Sequence, residues 1–317
     1  MKFEGPEKRL EVILASPQAD LRSDIGGRWG KVVKSSGSKI ISKVSSVNLD
    51  AYLLSESSLF VWDNRILMIT CGKTTLVNAL EKILDITGKS TVALVFYERK
   101  NFTFPHEQPS DFEDEAKQIM KSFPGKSYRL GPANLDHVHV FYSSNADIIN
   151  EPDAVLQVFM HDLDPLIMEN FCFKKFGTAG RAEKLSALNE IYPQMVTDSH
   201  LFSPFGYSLN GVFKTNYFTV HVTPQHEGSY ASFETNVIEK DYLKLIAKTL
   251  SLFKPGKFSL VLTSSVEDLC IKLYSSRENV ASDYNLTEKS LCRFDFGYAV
   301  TFLNCAHKSF QQKGAMT

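Results

Sequence analysis

Four residues stand where spacing alone can bring reactive groups together: Ser57, Cys71, Ser208 and His221. Ser57 lies in Tyr52-Leu53-Leu54-Ser55-Glu56-Ser57-Ser58; the chain then turns at Asp63-Asn64 and returns to Thr70-Cys71-Gly72. Ser208 lies in Gly206-Tyr207-Ser208-Leu209-Asn210-Gly211, which turns and returns through Tyr217-Phe218-Thr219-Val220-His221. Each segment puts a serine near one end of a hairpin and a second reactive group 14 or 13 residues later. In antiparallel hairpins of that length the two ends face each other across the ladder. Ser57 is therefore expected beside Cys71, and Ser208 beside His221.

The chemistry open to these groups differs. Taken alone, Ser55-Glu56-Ser57-Ser58 reads as a polar strand entry whose hydroxyls satisfy turn backbone. The functional reading is attack by Ser57 on the carbonyl of Glu56. That requires a strained peptide, a group to carry the proton and a donor for the oxyanion. Cys71 reads either as an ordinary buried thiol or as a reactive one. A helix beginning near Thr74 would lower its pKa and fit it for proton donation or nucleophilic attack. Cys71-Gly72-Lys73-Thr74-Thr75 is similar to the end of a phosphate-binding loop, but such a loop needs glycine at position 67, where Leu67 stands, so that reading is rejected. His221, in an apolar strand, gains a proton-transfer role from its place opposite Ser208. His161-Asp162-Leu163-Asp164 reads as a solvated helix end before Pro165, and no metal site is expected. Glu4, Glu7 and Glu11, mixed with Lys8 and Arg9, read as a solvated charged face. Phe3 beside them is either core or a stacking platform.

The elements that must position these groups are mainly strands. Lys39–Val44, Ala51–Leu54, Leu59–Trp62, Ile66–Thr70, Thr91–Tyr97, Tyr217–Val222, Tyr230–Phe233 and Phe258–Leu262 are rich in β-branched or aromatic residues and bounded by turn formers. Helical patterns cover Thr74–Ile86, stopped by Gly88, then Phe112–Ser122, Asp153–His161 and Asp241–Phe253. Strands in runs with helices in separate blocks indicate an α+β fold. The likeness of the two hairpins hints at a duplicated unit, with halves at about 1–173 and 200–317 and a polar linker over Lys174–Ser199.

Composition narrows the function classes. The chain is 43% hydrophobic and 22% charged, as in ordinary globular proteins, and 23 phenylalanines suit large packed sheet faces. With 35 basic and 36 acidic side chains and no basic run, nucleic acid is not expected as a partner. Five cysteines without a CxxC pair argue against a disulfide framework or structural zinc and point to the reducing cytosol. MKFEGPEKRL lacks the apolar core of a signal peptide, and no apolar run is long enough to span a bilayer. The Asn101 and Asn285 N-x-T triplets are read as chance.

Seven stretches, in order and spacing, resemble the eukaryotic S-adenosylmethionine decarboxylase family over nearly the whole chain. They are Phe3–Glu11, Leu54–Val61, Thr70–Gly72, Gly206–Gly211, His221–Pro224, Ser229–Glu234 and Phe253–Phe258. The resemblance implies a single domain over 1–317 with a four-layer αββα sandwich and internal duplication. It implies a proenzyme cut at Glu56–Ser57 into a β chain 1–56 and an α chain 57–317. The route implied is an N-to-O acyl shift by Ser57, β-elimination and hydrolysis, leaving a pyruvoyl group at position 57. His221 and Ser208 would support that processing. The pyruvoyl would form a Schiff base with S-adenosylmethionine and draw electrons as carbon dioxide leaves, so no pyridoxal phosphate and no metal are needed. Cys71 would return a proton to the substrate, Phe3 and Phe202 would sandwich the adenine, and Glu56 would belong to the substrate site. The product would donate aminopropyl groups for spermidine and spermine.

There are departures from the pattern. Gln225 stands where the family has a ribose-binding glutamate, and Ile69 where it has lysine. Arg9 matches the arginine that, in plant members, replaces the activator putrescine in an acidic network; Glu11 and Glu234 match its acidic partners. The resemblance thus predicts independence from putrescine and leaves monomer and homodimer open. Two other readings remain at this point: a catalytically dead paralogue that activates a partner decarboxylase, and a decarboxylase of another amino acid.

Overall fold

Sixteen strands form two antiparallel sheets of eight in the computed structural model, which describes residues 3–145, 152–172, 187–276 and 281–309. The first sheet holds β1 (Glu7–Leu14), β2 (Ile40–Ser45), β3 (Asp50–Leu54), β4 (Ser57–Val61), β5 (Arg65–Cys71), β6 (Val92–Lys100), β7 (Lys126–Leu130) and β8 (Val138–Ser144). The second holds β9 (Ala154–His161), β10 (Val196–Leu201), β11 (Tyr207–Phe213), β12 (Asn216–Thr223), β13 (Tyr230–Thr235), β14 (Lys257–Ser264), β15 (Tyr284–Arg293) and β16 (Ala299–His307). Their orders are β2-β3-β4-β5-β1-β6-β8-β7 and β10-β11-β12-β13-β9-β14-β16-β15. Adding eight to each strand number of the first order gives the second, so the two sheets share one topology.

Period-two alternation sorts the side chains into layers. Along β1, Leu10, Val12 and Leu14 pack outward against helices, while Arg9, Glu11 and Ile13 face the other sheet. The helices α1 (Arg28–Ser35), α2 (Ala79–Thr87) and α3 (Phe112–Met120) cover the first sheet with Trp29, Val32, Leu80, Ile83 and Ile119. Helix α3 starts where Asp111 accepts from the Asp114 N–H, and its acidic first turn suits the helix dipole. The helices Leu243–Phe253 and Glu267–Ser275 cover the second sheet through Ile246, Leu250, Phe253, Cys270 and Leu273. Two clusters fill the space between the sheets, one around Phe96, Phe159, Tyr230 and Phe302 and one around Phe60, Trp62, Val212 and Tyr217. The result is the four-layer αββα sandwich with internal duplication.

Four expectations need correction. Ala154–His161 is a central strand, not a helix. It lies between β13 and β14, so Leu156, Val158 and Met160 face the helices while Val155, Gln157 and Phe159 face the other sheet. A run apolar on both faces has no period with which to tell it from a buried helix. His161-Asp162-Leu163-Asp164 therefore ends a strand and opens the short helix Pro165–Met168, whose first amides Asp164 caps. With β9 in the second sheet, the two topological units divide between Ser144 and Ala154, ahead of the expected halves at 1–173 and 200–317. The linker expected over Lys174–Ser199 is partly core: Ile191, Tyr192 and Met195 are buried and Val196 already opens β10. Its first part, up to residue 186, lies outside the described residues.

The two look-alike hairpins are also not equivalent positions of the repeat. The β4–β5 hairpin corresponds to β12–β13, whereas Ser208 and His221 lie on β11–β12.

Phe60 is fully buried between the sheets, with its ring centroid 4.4 Å from that of Tyr217. Phe60→Ala should lower the unfolding free energy by about 3–5 kcal/mol in chemical denaturation. A cost under about 1 kcal/mol would mean that this part of the interface repacks freely.

Candidate active site

The register of β11–β12 places Ser208 directly opposite His221, as the hairpin spacing predicts. Ser208 Oγ lies 3.0 Å from His221 Nδ1. The other hairpin pairs Ser57 with Thr70, and Cys71 follows one residue beyond. There the Cys71 N–H donates to the Glu56 carbonyl oxygen at 3.0 Å, and the Cys71 S–H donates to the same oxygen at 3.4 Å. Two donors thus converge on one carbonyl, the arrangement that stabilises charge developing on oxygen.

The next residue is strained. Ser57 has φ of 131°, a region that costs a non-glycine residue of order 1–3 kcal/mol. Its Oγ is buried and has no hydrogen-bond partner. The peptide that the family resemblance implies is cut therefore joins a doubly held carbonyl to a strained serine with an unengaged hydroxyl.

The expectation that a helix N-terminus lowers the Cys71 pKa is not met. Thr74 and Thr75 are not helical, a single tight turn occupies Leu76–Asn78, and α2 starts only at Ala79. Burial pushes the thiol well above its ordinary value, helped by the nearby Glu56 carboxyl. Cys71 is a held S–H donor, not a thiolate. Two residues at the start of β1 shape its surroundings. Glu7 pairs with Cys71 across β1–β5, and burial raises its carboxyl to about 8 although Ser232 donates to it at 2.6 Å. Lys8 is fully buried on the opposite face, and burial lowers its ammonium to about 8. Its Nζ donates to the carbonyls of Thr74 at 2.6 Å and Gly72 at 3.4 Å, tying down the turn that follows Cys71. The solvated charged face expected for Glu4 to Glu11 is therefore buried, because β1 runs through the middle of its sheet.

A cavity of about 270 Å³ opens onto this region. Phe3, Glu56, Ser57, Cys71, Phe202, Ser208 and His221 all line it, so the two sheets meet at one site. Gly72 permits the approach of Phe3: at φ of 64°, a Cβ there would stand 2.8 Å from the Phe3 ring. Burial raises the Glu56 carboxyl to about 7. Gln225 is half-buried but does not line the cavity. Among the described residues, no group of three or more His, Cys, Asp or Glu is placed to hold a metal ion.

Sequence reasoning missed the residues behind His221. Its Nε2 lies 2.8 Å from Thr219 Oγ1 and 3.4 Å from Ser58 Oγ, and both hydroxyls donate to Asn210 Oδ1, at 2.9 and 2.7 Å. The signal was the strand period: Asn210 follows Ser208 by two residues, and Thr219 precedes His221 by two, so each shares a face with its partner.

Arg9, Glu11 and Glu234 come together as expected, between the sheets. Arg9 reaches Glu11 at 2.9 Å, Glu234 at 3.2 Å and Glu98 at 3.5 Å. Arg65 adds contacts to Glu11 and, at 3.1 Å, to Asp153. Burial raises Glu98 to about 7 in spite of Arg9.

Residues 1–306 match the model of the family described as adenosylmethionine decarboxylase. The chain belongs to that family. It is 35% identical over 324 residues to an S-adenosylmethionine decarboxylase proenzyme of Dictyostelium discoideum, covering 95% of this chain and 85% of that protein. A proenzyme of the same name from Drosophila melanogaster is 35% identical over 332 residues, covering 96% and 95%. Among solved structures, the AdoMetDC-delta26 monomer of Trypanosoma brucei superposes with a TM-score of 0.63 at 26% identity, covering 79% of this chain and 99% of that one. The family fold and the fold built here agree.

Burial lowers His221 to about 3 from an ordinary 6.5. Between those values the unfolded chain binds a proton that the folded chain refuses, so stability falls as pH drops from 6.5 toward 3. In a Ser57→Ala background, His221→Gln should flatten the slope of unfolding free energy in that window by up to about 1.4 kcal/mol per pH unit. Denaturant titrations at stepped pH measure it; an unchanged slope would mean that the folded protein already carries the charge.

Proposed function

We propose that this chain is a proenzyme that cuts itself between Glu56 and Ser57 and then decarboxylates S-adenosylmethionine. The observation that carries the reading is the strained Ser57, at φ of 131°, joined to a carbonyl already gripped by two Cys71 donors. Ser57 Oγ adds to the Glu56 carbonyl carbon, and the oxyanion forms against those donors. The hydroxyl proton passes to the amide nitrogen as the C–N bond breaks, leaving an ester. Loss of the Ser57 α-proton expels the Glu56 carboxylate, and water releases ammonia from the resulting dehydroalanine. His221, kept neutral by burial and hydrogen-bonded to Ser208, is the base of the site. The products are a β chain 1–56 and an α chain 57–317.

A pyruvoyl group at position 57 supplies the electron sink for loss of carbon dioxide. The residues present fit it: Ser57 is buried and faces a cavity that also holds the Cys71 thiol. Cys71, protonated at neutral pH, is the donor to the substrate carbon. Phe3 and Phe202 are the aromatic walls for the adenine, and their faces also suit a sulfonium. Gln225 stands outside that wall, so a ribose contact from it needs its loop to close. The product serves spermidine and spermine synthesis. The family match and the presence of Ser57, Cys71, Ser208 and His221 favour this reading over a dead regulatory paralogue or another amino acid decarboxylase.

Arg9 is proposed to stand in for a diamine activator. It already sits among three carboxylates, and the cavity beside it is about 20 Å³, room for roughly one water.

Purified protein should run as two pieces whose masses place the cut at Glu56–Ser57, the larger blocked to Edman sequencing; Ser57→Ala should stay whole. Cys71→Ala should release labelled carbon dioxide from S-adenosylmethionine at least about tenfold more slowly than the unsubstituted enzyme. An intact chain, or release only from ornithine or arginine, would sink the proposal.

Added putrescine should leave the unsubstituted rate unchanged. Arg9→Leu should lower it and make it respond to putrescine. Stimulation of the unsubstituted enzyme would refute the role given to Arg9.

A further inference from the structure

We propose that Asn210 and Thr219 are positioning residues that decide which ring nitrogen of His221 carries its proton. They leave Nδ1 as the base that faces Ser208. The inference deepens the proposed self-processing and rests on it.

The argument is a count of protons. A carbonyl oxygen only accepts, and a hydroxyl has one proton to give. Ser58 Oγ and Thr219 Oγ1 both give theirs to Asn210 Oδ1, at 2.7 and 2.9 Å. Thr219 then offers only lone pairs to His221 Nε2 at 2.8 Å, so Nε2 must carry the hydrogen. A neutral imidazole has one N–H, so Nδ1 presents its lone pair. Ser208 Oγ, 3.0 Å away, donates to it. Burial of the ring keeps it neutral at working pH.

The opposite orientation of the amide would reverse every step. Asn210 Nδ2 is buried and has no hydrogen-bond partner. Turned inward, it would donate to both hydroxyls and free the Thr219 proton for Nε2. Nδ1–H would then donate to Ser208, and the base would be lost. Orientation of one amide and tautomer of one imidazole are therefore a single choice, made on the sheet that faces the reacting bond, where Asn210 accepts from Ser58. In other sites a residue that fixes the histidine tautomer acts on rate without touching substrate.

The decisive measurement is two-bond ¹⁵N–¹H correlation NMR on full-length Ser57→Ala protein labelled at histidine, with the His221 signals assigned by their loss in His221→Gln. The Nε2–H form is expected. Thr219→Val in the same background should give a mixed or Nδ1–H signal, and Thr219→Ser should restore Nε2–H. With Ser57 present, Thr219→Val should cleave about ten- to a hundredfold more slowly, and Thr219→Ser should recover most of the rate. An Nδ1–H tautomer in the parent, or cleavage of Thr219→Val at the unsubstituted rate, would overturn the inference. The parent spectrum decides even where Thr219→Val does not fold. A normal Nε2–H spectrum with no cleavage of the unsubstituted chain would instead refute the proposed function.

Discussion

The hydrogen bond from the Cys71 N–H to the Glu56 carbonyl is the constraint on which the site depends. It continues the β4–β5 ladder, so the bond that builds the sheet also holds the carbonyl proposed for attack. Ser57, the next residue, is paired on both sides, with Leu54 and with Thr70. Those pairings keep it at a φ that an isolated serine avoids, and the rest of the sheet offsets the cost. Lys8 adds a second clamp from the helix side, tying Gly72 and Thr74 to β1. Gly72 must be glycine for two reasons at once, its positive φ and the Phe3 ring against it. Strain, the two donors on the Glu56 carbonyl and the Phe3 wall of the cavity are thus fixed by one short stretch of backbone.

The space between the sheets explains why such a site is stable. A row of polar groups runs there from Cys71 and His221 to Arg9, Glu234 and Arg65, where a plain sandwich would be apolar. Two devices limit the cost. Near the cavity the groups are neutral: burial raises Glu7 and Cys71 and lowers His221. Farther in, the charges are paired, with Arg9 and Arg65 set against Glu11, Glu98, Glu234 and Asp153. Such networks are costly to break from one side, because the partners left behind stay buried. Apolar clusters around Phe60 and Phe96 flank the row and supply the packing that it does not.

Much of this was legible in the sequence, but unevenly. Hairpin spacing gave the Ser208–His221 pair to the residue, because antiparallel register follows from loop length. It placed Ser57 one position from Cys71, since the contact runs through the Glu56 carbonyl and not through the serine. It could not identify Ala154–His161 as a strand, because a strand buried on both faces loses its alternation. That one error also misplaced the boundary of the repeat. Asn210 and Thr219 carried only the strand period as a signal, and Ser58 carried none: each is an ordinary strand polar residue until the packing of the two sheets gathers them at one imidazole. The effect expected of a helix on Cys71 failed because backbone direction right after a strand end is set by the turn, here by Gly72 and the Lys8 clamp.

The topology also bears on what a cut at Glu56–Ser57 would leave behind. Residues before the cut carry β1, β2 and β3, and β1 is an inner strand paired with both β5 and β6. β3 stays paired with β4 across the severed turn. A piece of this kind cannot leave without dismantling the middle of the first sheet and exposing the row of charges behind it. Such a cut would cost the fold little and would relieve the backbone strain at Ser57. Within one repeated topology, the first sheet contributes the strained Ser57 and the held Glu56 carbonyl, and the second contributes the His221 imidazole and its hydroxyl partners. Neither sheet alone holds both sets of groups, and the proposed chemistry requires their facing surfaces to stay polar at that end.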